Sequence, residues 1–148
     1  MKKTIPILIW IAALCAPVWA APGADPAQEI LALERQAMDG WLKGDPGPQL
    51  AISDPQITYY HDVFDKRVEG LPALKALYEP YRGTPLFDRY EILSPKFQVA
   101  DNVVVLTYQL AQHQGSAVSY WNGTEVYWRT KDGWRILHSH WSAAKARE

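Results

Sequence analysis

Two histidines, His138 and His140, stand two residues apart in a β-rich run near the end of this 148-residue chain. Alternate strand residues share a face, so the pair would point the same way, beside Trp134 and Ile136. Arg135, Leu137, Ser139 and Trp141 would take the other face. Two imidazoles on one face can hold a metal. A third ligand would have to be Glu125 or His61, and no second His-x-His or acidic cluster supports one. No metal and no cofactor is therefore expected, and both histidines are read as hydrogen-bonded wall residues of a pocket. Tyr60, His61 and Asp62 end an earlier β-rich run, and Tyr108 lies within a later one; these too are pocket candidates. A buried imidazole or carboxylate is readily tuned toward a neutral pKa. Asp62, Asp65 and Glu69 do not have the spacing of a calcium loop and read as a solvated segment.

The role of Glu125 hangs on a hairpin register. With a loop of Asp132-Gly133 alone, Lys131 pairs with Trp134 and Glu125 lies opposite His140, a plausible acid–base pair. With Lys131 in the loop and a glycine bulge, Thr130 pairs with Trp134 and Glu125 lies opposite Ser139, away from the histidine face. One residue reverses every side chain.

The elements that must position these groups are legible in outline. Asp25-Pro26-Ala27-Gln28 starts a helix, with Asp25 as cap, Pro26 at its first position and Gln28 completing a capping box. Ile30, Leu33, Ala37 and Trp41 follow at helical spacing, and Lys43-Gly44 ends it. Gln49 to Ile52 suggests one helical turn, residues 57–61 a strand, and residues 67–69 a short returning strand. A second helix spans residues 71–81, stopped by Pro80 and Gly83. Strands follow over 89–99, 103–113, 118–129 and 134–142. Ser94-Pro95 implies an edge or bulge in the first, and Lys131-Asp132-Gly133 turns the last two into a hairpin. Helices first and an antiparallel meander last give an α+β fold: a cone-shaped curved antiparallel sheet with the N-terminal helices on its concave face. A cone leaves a pocket.

The first twenty residues read separately. Lys2-Lys3, the apolar run Ile5–Ala16 and Val18-Trp19-Ala20 form a secretory signal, so residues 1–20 are expected to be a signal peptide and residues 25–142 the domain. The protein is then expected to be periplasmic or secreted. Cleavage after Ala20 leaves 128 residues with 13 basic and 16 acidic side chains, a net charge of −3. No basic stripe remains to bind nucleic acid, and no later apolar run could span a membrane. The only cysteine, Cys15, lies in the leader, which excludes disulfides and thiol catalysis from the remainder.

Trp121-Asn122-Gly123-Thr124-Glu125-Val126-Tyr127 and Asp132 to Ser142 resemble the C-terminal hairpin of SnoaL-like proteins, of the nuclear transport factor 2-like superfamily. Small secreted bacterial domains of unknown function are the most similar subgroup. The association domain of calcium/calmodulin-dependent kinase is similar at Glu69-Gly70 and at the Trp-x-Ile-x-His-x-His ending, Trp134 to His140. The pocket arginines of that domain have no counterpart, since the central strand holds Val103, Val104, Val105 and Leu106, and Trp141 replaces a cation after the second histidine. No kinase or calmodulin activity is expected to follow from this likeness.

Three functions are open. The first is a pocket protein binding a small, partly apolar molecule as a homodimer paired through its sheet, as the resemblance implies. The second, implied by related isomerases and cyclases, is an enzyme with His61 or Asp62 as base and His138, His140 or Tyr60 as acid or oxyanion donor. The third is a protein-interaction module. Five Trp, eight Tyr and three Phe beyond the leader supply either a pocket or an interface. No motif compels chemistry, so binding is the reading preferred.

Overall fold

The computed structural model describes residues 25–145; the expected leader lies outside the described residues. Helix α1 covers Pro26–Trp41 and α2 Gly47–Ile52. Strand β1 is Ser53–His61, β2 Val68–Glu69, and α3 Leu71–Tyr78, followed by a 3-10 turn at Glu79–Tyr81. Four long strands complete the chain: β3 Arg89–Ala100, β4 Val103–Gln114, β5 Ala117–Thr130 and β6 Gly133–Ala144. The α+β architecture expected from element order forms, as one curved six-stranded sheet with the order β2-β1-β6-β5-β4-β3. All neighbours are antiparallel except β1 and β6, which run parallel and are joined by the long connection through β2, α3 and β3 to β5. No helix among the described residues is long and apolar enough to cross a membrane.

Asp25 caps α1 by accepting from Ala27 N at 3.1 Å, a neighbour nearer than a capping box would use. The buried face of α1, Ile30, Glu34, Ala37, Met38 and Trp41, packs on the inner face of the sheet. That inner face carries Ile57, Val104, Leu106, Leu110, Tyr127 and Ile136, all within 1% of full burial. Three polar ties fix the helix. Glu29 Oε2 accepts from Trp134 Nε1 at 2.6 Å and Arg129 Nη1 at 2.8 Å; Glu34 accepts from two tyrosines; Asp39 Oδ1 accepts from Tyr90 OH at 2.8 Å.

The strand kink expected at Ser94-Pro95 is a bulge, with the β3–β4 register shifting between Leu93 and Lys96 and Ser94 at φ 50°. The β5–β6 hairpin follows neither register drawn from the sequence at its turn. Thr130 pairs with Gly133, so the loop is Lys131-Asp132, and Gly133 takes φ 107°, where a side chain would be strained. Tyr127 then pairs with Ile136, but Val126 pairs with His138. Leu137 is an extra residue, and this bulge controls everything beyond it. Glu125 consequently lies opposite Ser139, and Thr124 opposite His140.

Candidate functional site

Because of the Leu137 bulge, Trp134 and Ile136 point inward, and the alternation then restarts with Ser139 and Trp141 inward. His138 and His140 point outward. The expectation that they line the pocket with Trp134 and Ile136 is therefore corrected: an uninterrupted strand would have kept the four together, and one added residue separates them. Tyr60 joins the two histidines outside, its ring 6.2 Å from His138 and 5.9 Å from His140. Period-two alternation of β1 turns Ile57, Tyr59 and His61 inward and Thr58 and Tyr60 outward, so Tyr60 is also corrected as a pocket residue. His138 Nδ1 is 2.8 Å from Thr58 Oγ1 across the β1–β6 pair. Among the described residues no three His, Cys, Asp or Glu side chains gather as a metal site would need.

Inside the cone, between α1, α2, α3 and the strand ends, lies a cavity of about 300 Å³. Met38, Trp41, Gln49, Tyr59, Phe87 and Leu110 form its buried depth; Val63, Tyr81 and Leu86 form an exposed rim. Trp121 and Trp141 close the sheet side. The aromatics hold one another in edge-to-face order: Trp41 and Tyr78 at 4.9 Å, Tyr59 and Tyr78 at 6.0 Å. Burial raises the phenols of Tyr59 and Tyr78, which hydrogen-bond each other.

His61 is the one sequence-predicted candidate whose side chain lines this cavity. Its ring lies 4.9 Å from that of Trp121, tilted by 50°, and its Nδ1 lies 2.9 Å from Asp62 Oδ1. Burial lowers the imidazole pKa, and the Asp62 charge works against that. Asp62 itself stands beyond the strand end at the surface, where Oδ2 accepts from Ala143 N at 2.8 Å. It holds His61 from behind and does not line the cavity.

Tyr108 and Glu125 lie beneath the wall. Ser139 Oγ donates to Glu125 Oε1 at 3.0 Å, and Trp141 Nε1 donates to the same Ser139 Oγ at 3.0 Å. Tyr108 OH donates to Glu34 Oε2 at 2.9 Å, Tyr127 OH donates to Glu34 Oε1, and the Tyr108 ring meets Trp141 edge-on at 5.4 Å. Glu125 Oε2 is buried with no hydrogen-bond partner among the described residues, and the Glu34 carboxyl stands near it. Burial first, and the charge on Glu34 second, push the Glu125 pKa well above the carboxylate range, so Glu125 is held in its protonated form. A hydrogen-bonded chain thus runs Trp141–Ser139–Glu125 from the cavity wall and ends beside Glu34 of helix α1.

Glu34 and Gln49 were not foreseen. For Glu34 the signal existed: it falls on the apolar stripe Ile30–Ala37–Trp41, where a charge needs a buried partner. Gln49 carried no such mark, being one residue in a helical turn after Gly47-Pro48.

The cavity's polar provision is sparse. Arginine, lysine, aspartate and glutamate are absent from its lining among the described residues. The amides of Gln49 and Gln112, the Trp41 indole N–H, the Tyr81 hydroxyl and the His61 ring are its hydrogen-bonding groups outside the Tyr59–Tyr78, Trp121–Ser119 and Trp141–Ser139 pairs.

Comparison with known proteins places this architecture. The family model described as the calcium/calmodulin dependent protein kinase II association domain matches residues 26–145. A protein of Parabacteroides distasonis, provisionally assigned as a ketosteroid isomerase, is 32% identical with a TM-score of 0.75, over 82% of this chain and 90% of its own. A nuclear transport factor 2-like protein of unknown function from Pseudomonas putida is 21% identical with a TM-score of 0.71, over 84% of this chain and 92% of its own. The CaMKII hub of S. rosetta is 20% identical with a TM-score of 0.67, over 82% of this chain and 98% of its own. These last two likenesses show the fold. No curated protein matches the chain.

Proposed function

This chain belongs to the calcium/calmodulin dependent protein kinase II association domain family, with the nuclear transport factor 2-like fold, and from that premise we propose that it is an exported pocket protein binding a small, largely apolar molecule. The aromatic-walled cavity carries this reading. Its buried depth is lined by Met38, Trp41, Phe87 and Leu110, and its volume of about 300 Å³ sits at the lower end of ligand-site sizes. Filling it removes apolar surface from water without unfolding anything. The test is a neutral fluorescent naphthalene, N-phenyl-1-naphthylamine. Saturable enhancement at one site per chain is expected, and Leu77→Trp, which fills the cavity, should abolish it. No enhancement, or enhancement indifferent to Leu77→Trp, would refute the reading.

Export rests on the Lys2-Lys3, apolar and Val18-Trp19-Ala20 pattern. Mass measurement on protein from the cell envelope should find a start near Ala21. Pairing as a homodimer rests on the outer sheet face, where Val105 and Val126 lie opposite each other, each half-buried. Sedimentation at micromolar concentration should find a dimer, and Val105→Asp should dissociate it.

One observation favours a second reading, proton transfer next to a carbonyl. His61 is oriented by Asp62 at 2.9 Å and lines the cavity, the arrangement a general base requires. The relative provisionally assigned as a ketosteroid isomerase adds to it. This reading expects conversion of a β,γ-unsaturated ketosteroid to its conjugated isomer, read by ultraviolet absorbance and lost in His61→Ala. His138 and His140 take no part, since they face outward.

A further inference from the structure

Gln49 is 5% exposed and lies in the depth of the cavity, and its side-chain amide makes no hydrogen bond to any described residue. The amide is not sealed in, since the enclosed unpartnered side-chain atom among the described residues is Glu125 Oε2; the Gln49 amide opens onto the cavity and is free to pair with what enters. Met38 and Phe87 in the same lining offer no hydrogen-bonding group and no hydrogen bond joins the Trp41 indole to the amide, while the backbone carbonyl of Gln49 is already taken by Ser53 Oγ at 2.9 Å. A primary amide presents one acceptor and one donor side by side, and its complement is another group with a donor and an acceptor side by side.

The charge of the site points the same way. Among the described residues the lining holds no arginine or lysine to receive an anion and no carboxylate to receive a cation. His61 is the lining side chain there that can gain a positive charge, and burial favours its neutral form. A charged ligand would lose its hydration with nothing to replace it.

We infer that the ligand is an uncharged, flat ring compound bearing an adjacent N–H and C=O, or an equivalent donor–acceptor edge, which pairs with the Gln49 amide while its rings stack against the aromatic wall. This rests on the pocket reading above and narrows it from an apolar molecule to a neutral lactam-like one. The deep position of Gln49 makes this edge the leading end, and the rings trail toward the rim at Tyr81 and Leu86.

Three probes of matched ring size separate the terms: naphthalene, 1-naphthoate and 2-quinolone, a neutral lactam. Affinities are read by ligand-observed NMR at pH 7 for the full chain and for Gln49→Met, whose fold is checked by thermal melting. The expected order is 2-quinolone tightest, naphthalene about tenfold weaker for want of the hydrogen bonds, and 1-naphthoate weakest. Gln49→Met should remove the preference for 2-quinolone while keeping naphthalene. If naphthalene binds and 2-quinolone binds no better, or if Gln49→Met leaves the preference intact, the lactam assignment is overturned while the pocket stands. Tightest binding of 1-naphthoate would overturn it also. If N-phenyl-1-naphthylamine and all three probes fail to bind, both the pocket and its narrowing fall together.

Discussion

Gly123 and Trp141 are cross-strand partners, and the Trp141 indole occupies the space where a side chain at Gly123 would begin: a Cβ built there would lie 2.9 Å from its ring. The indole can lie flat on β5 only because residue 123 has none. Pressed there, it forms the cavity wall, and its Nε1 reaches Ser139.

Gly123→Ala should therefore push the indole off its seat. A small-to-large change in a packed site costs about 1–3 kcal/mol, which urea denaturation would read. Because the ring cannot shift without leaving Ser139, N-phenyl-1-naphthylamine affinity should fall as well. Unchanged stability and unchanged affinity together would show that the wall does not depend on this contact.

The carboxyl pair predicts an asymmetry between its members. Glu125→Gln keeps an acceptor for Ser139 and removes a group that ionises in the unfolded chain, so stability at pH 7 should not fall below that of the natural chain. Glu34→Ala leaves the Tyr108 and Tyr127 hydroxyls and the Glu125 carboxyl stranded together, with an expected loss of about 3–5 kcal/mol. Equal losses for the two variants would contradict a protonated Glu125.

The same pair sets a pH dependence. The folded pKa of Glu125 is raised above its ordinary 4.5, so the folded chain holds this proton more tightly than the unfolded chain. Its contribution is present in full below 4.5 and is lost as pH rises through the folded value. Subtracting the stability profile of Glu125→Gln from that of the natural chain should leave a curve that declines with pH above 4.5. A difference that rises with pH would reverse the assignment.

For His61 the sign is opposite in kind. Burial lowers its pKa from 6.5, so between the folded value and 6.5 the unfolded chain binds the proton more tightly and stability rises with pH. Asp62→Asn removes the charge that opposes this and should move the His61 titration, followed by NMR, further down. An upward move would show that Asp62 does not act on the ring.

The outward histidines supply a negative control. His140 is exposed on the far side of the sheet, so His140→Ala should leave probe affinity unchanged. A tenfold loss would return it to the site. Trp141→Asp, by contrast, should damage the cavity and is no test of a dimer face, because the indole points inward.

Much of this molecule could be read from local pattern. Polar caps, helical spacing and runs of β-branched and aromatic residues located two of the helices and the four long strands, because those signals act over a few neighbouring residues. Their order implied the curved sheet with helices on its concave face. The faces of β6 could not be read, since they depend on a single extra residue. Nothing in Trp134 to Trp141 marks Leu137 as a bulge. It forms because β6 must match β5 on one side and β1 on the other within a curved sheet, where the β1–β6 register also shifts, between Ser53 and Thr58. That one residue sent the two histidines outside and brought Ser139 and Trp141 in. Glu34 was half legible: its place on an apolar stripe called for a buried partner, but only packing of α1 on β4 and β5 could identify Tyr108, Glu125 and Tyr127. Gln49 was silent in the sequence. A glutamine becomes an open hydrogen-bonding group only when distant segments, here the end of α1 and the residues just before β3, bring their side chains around the same cavity.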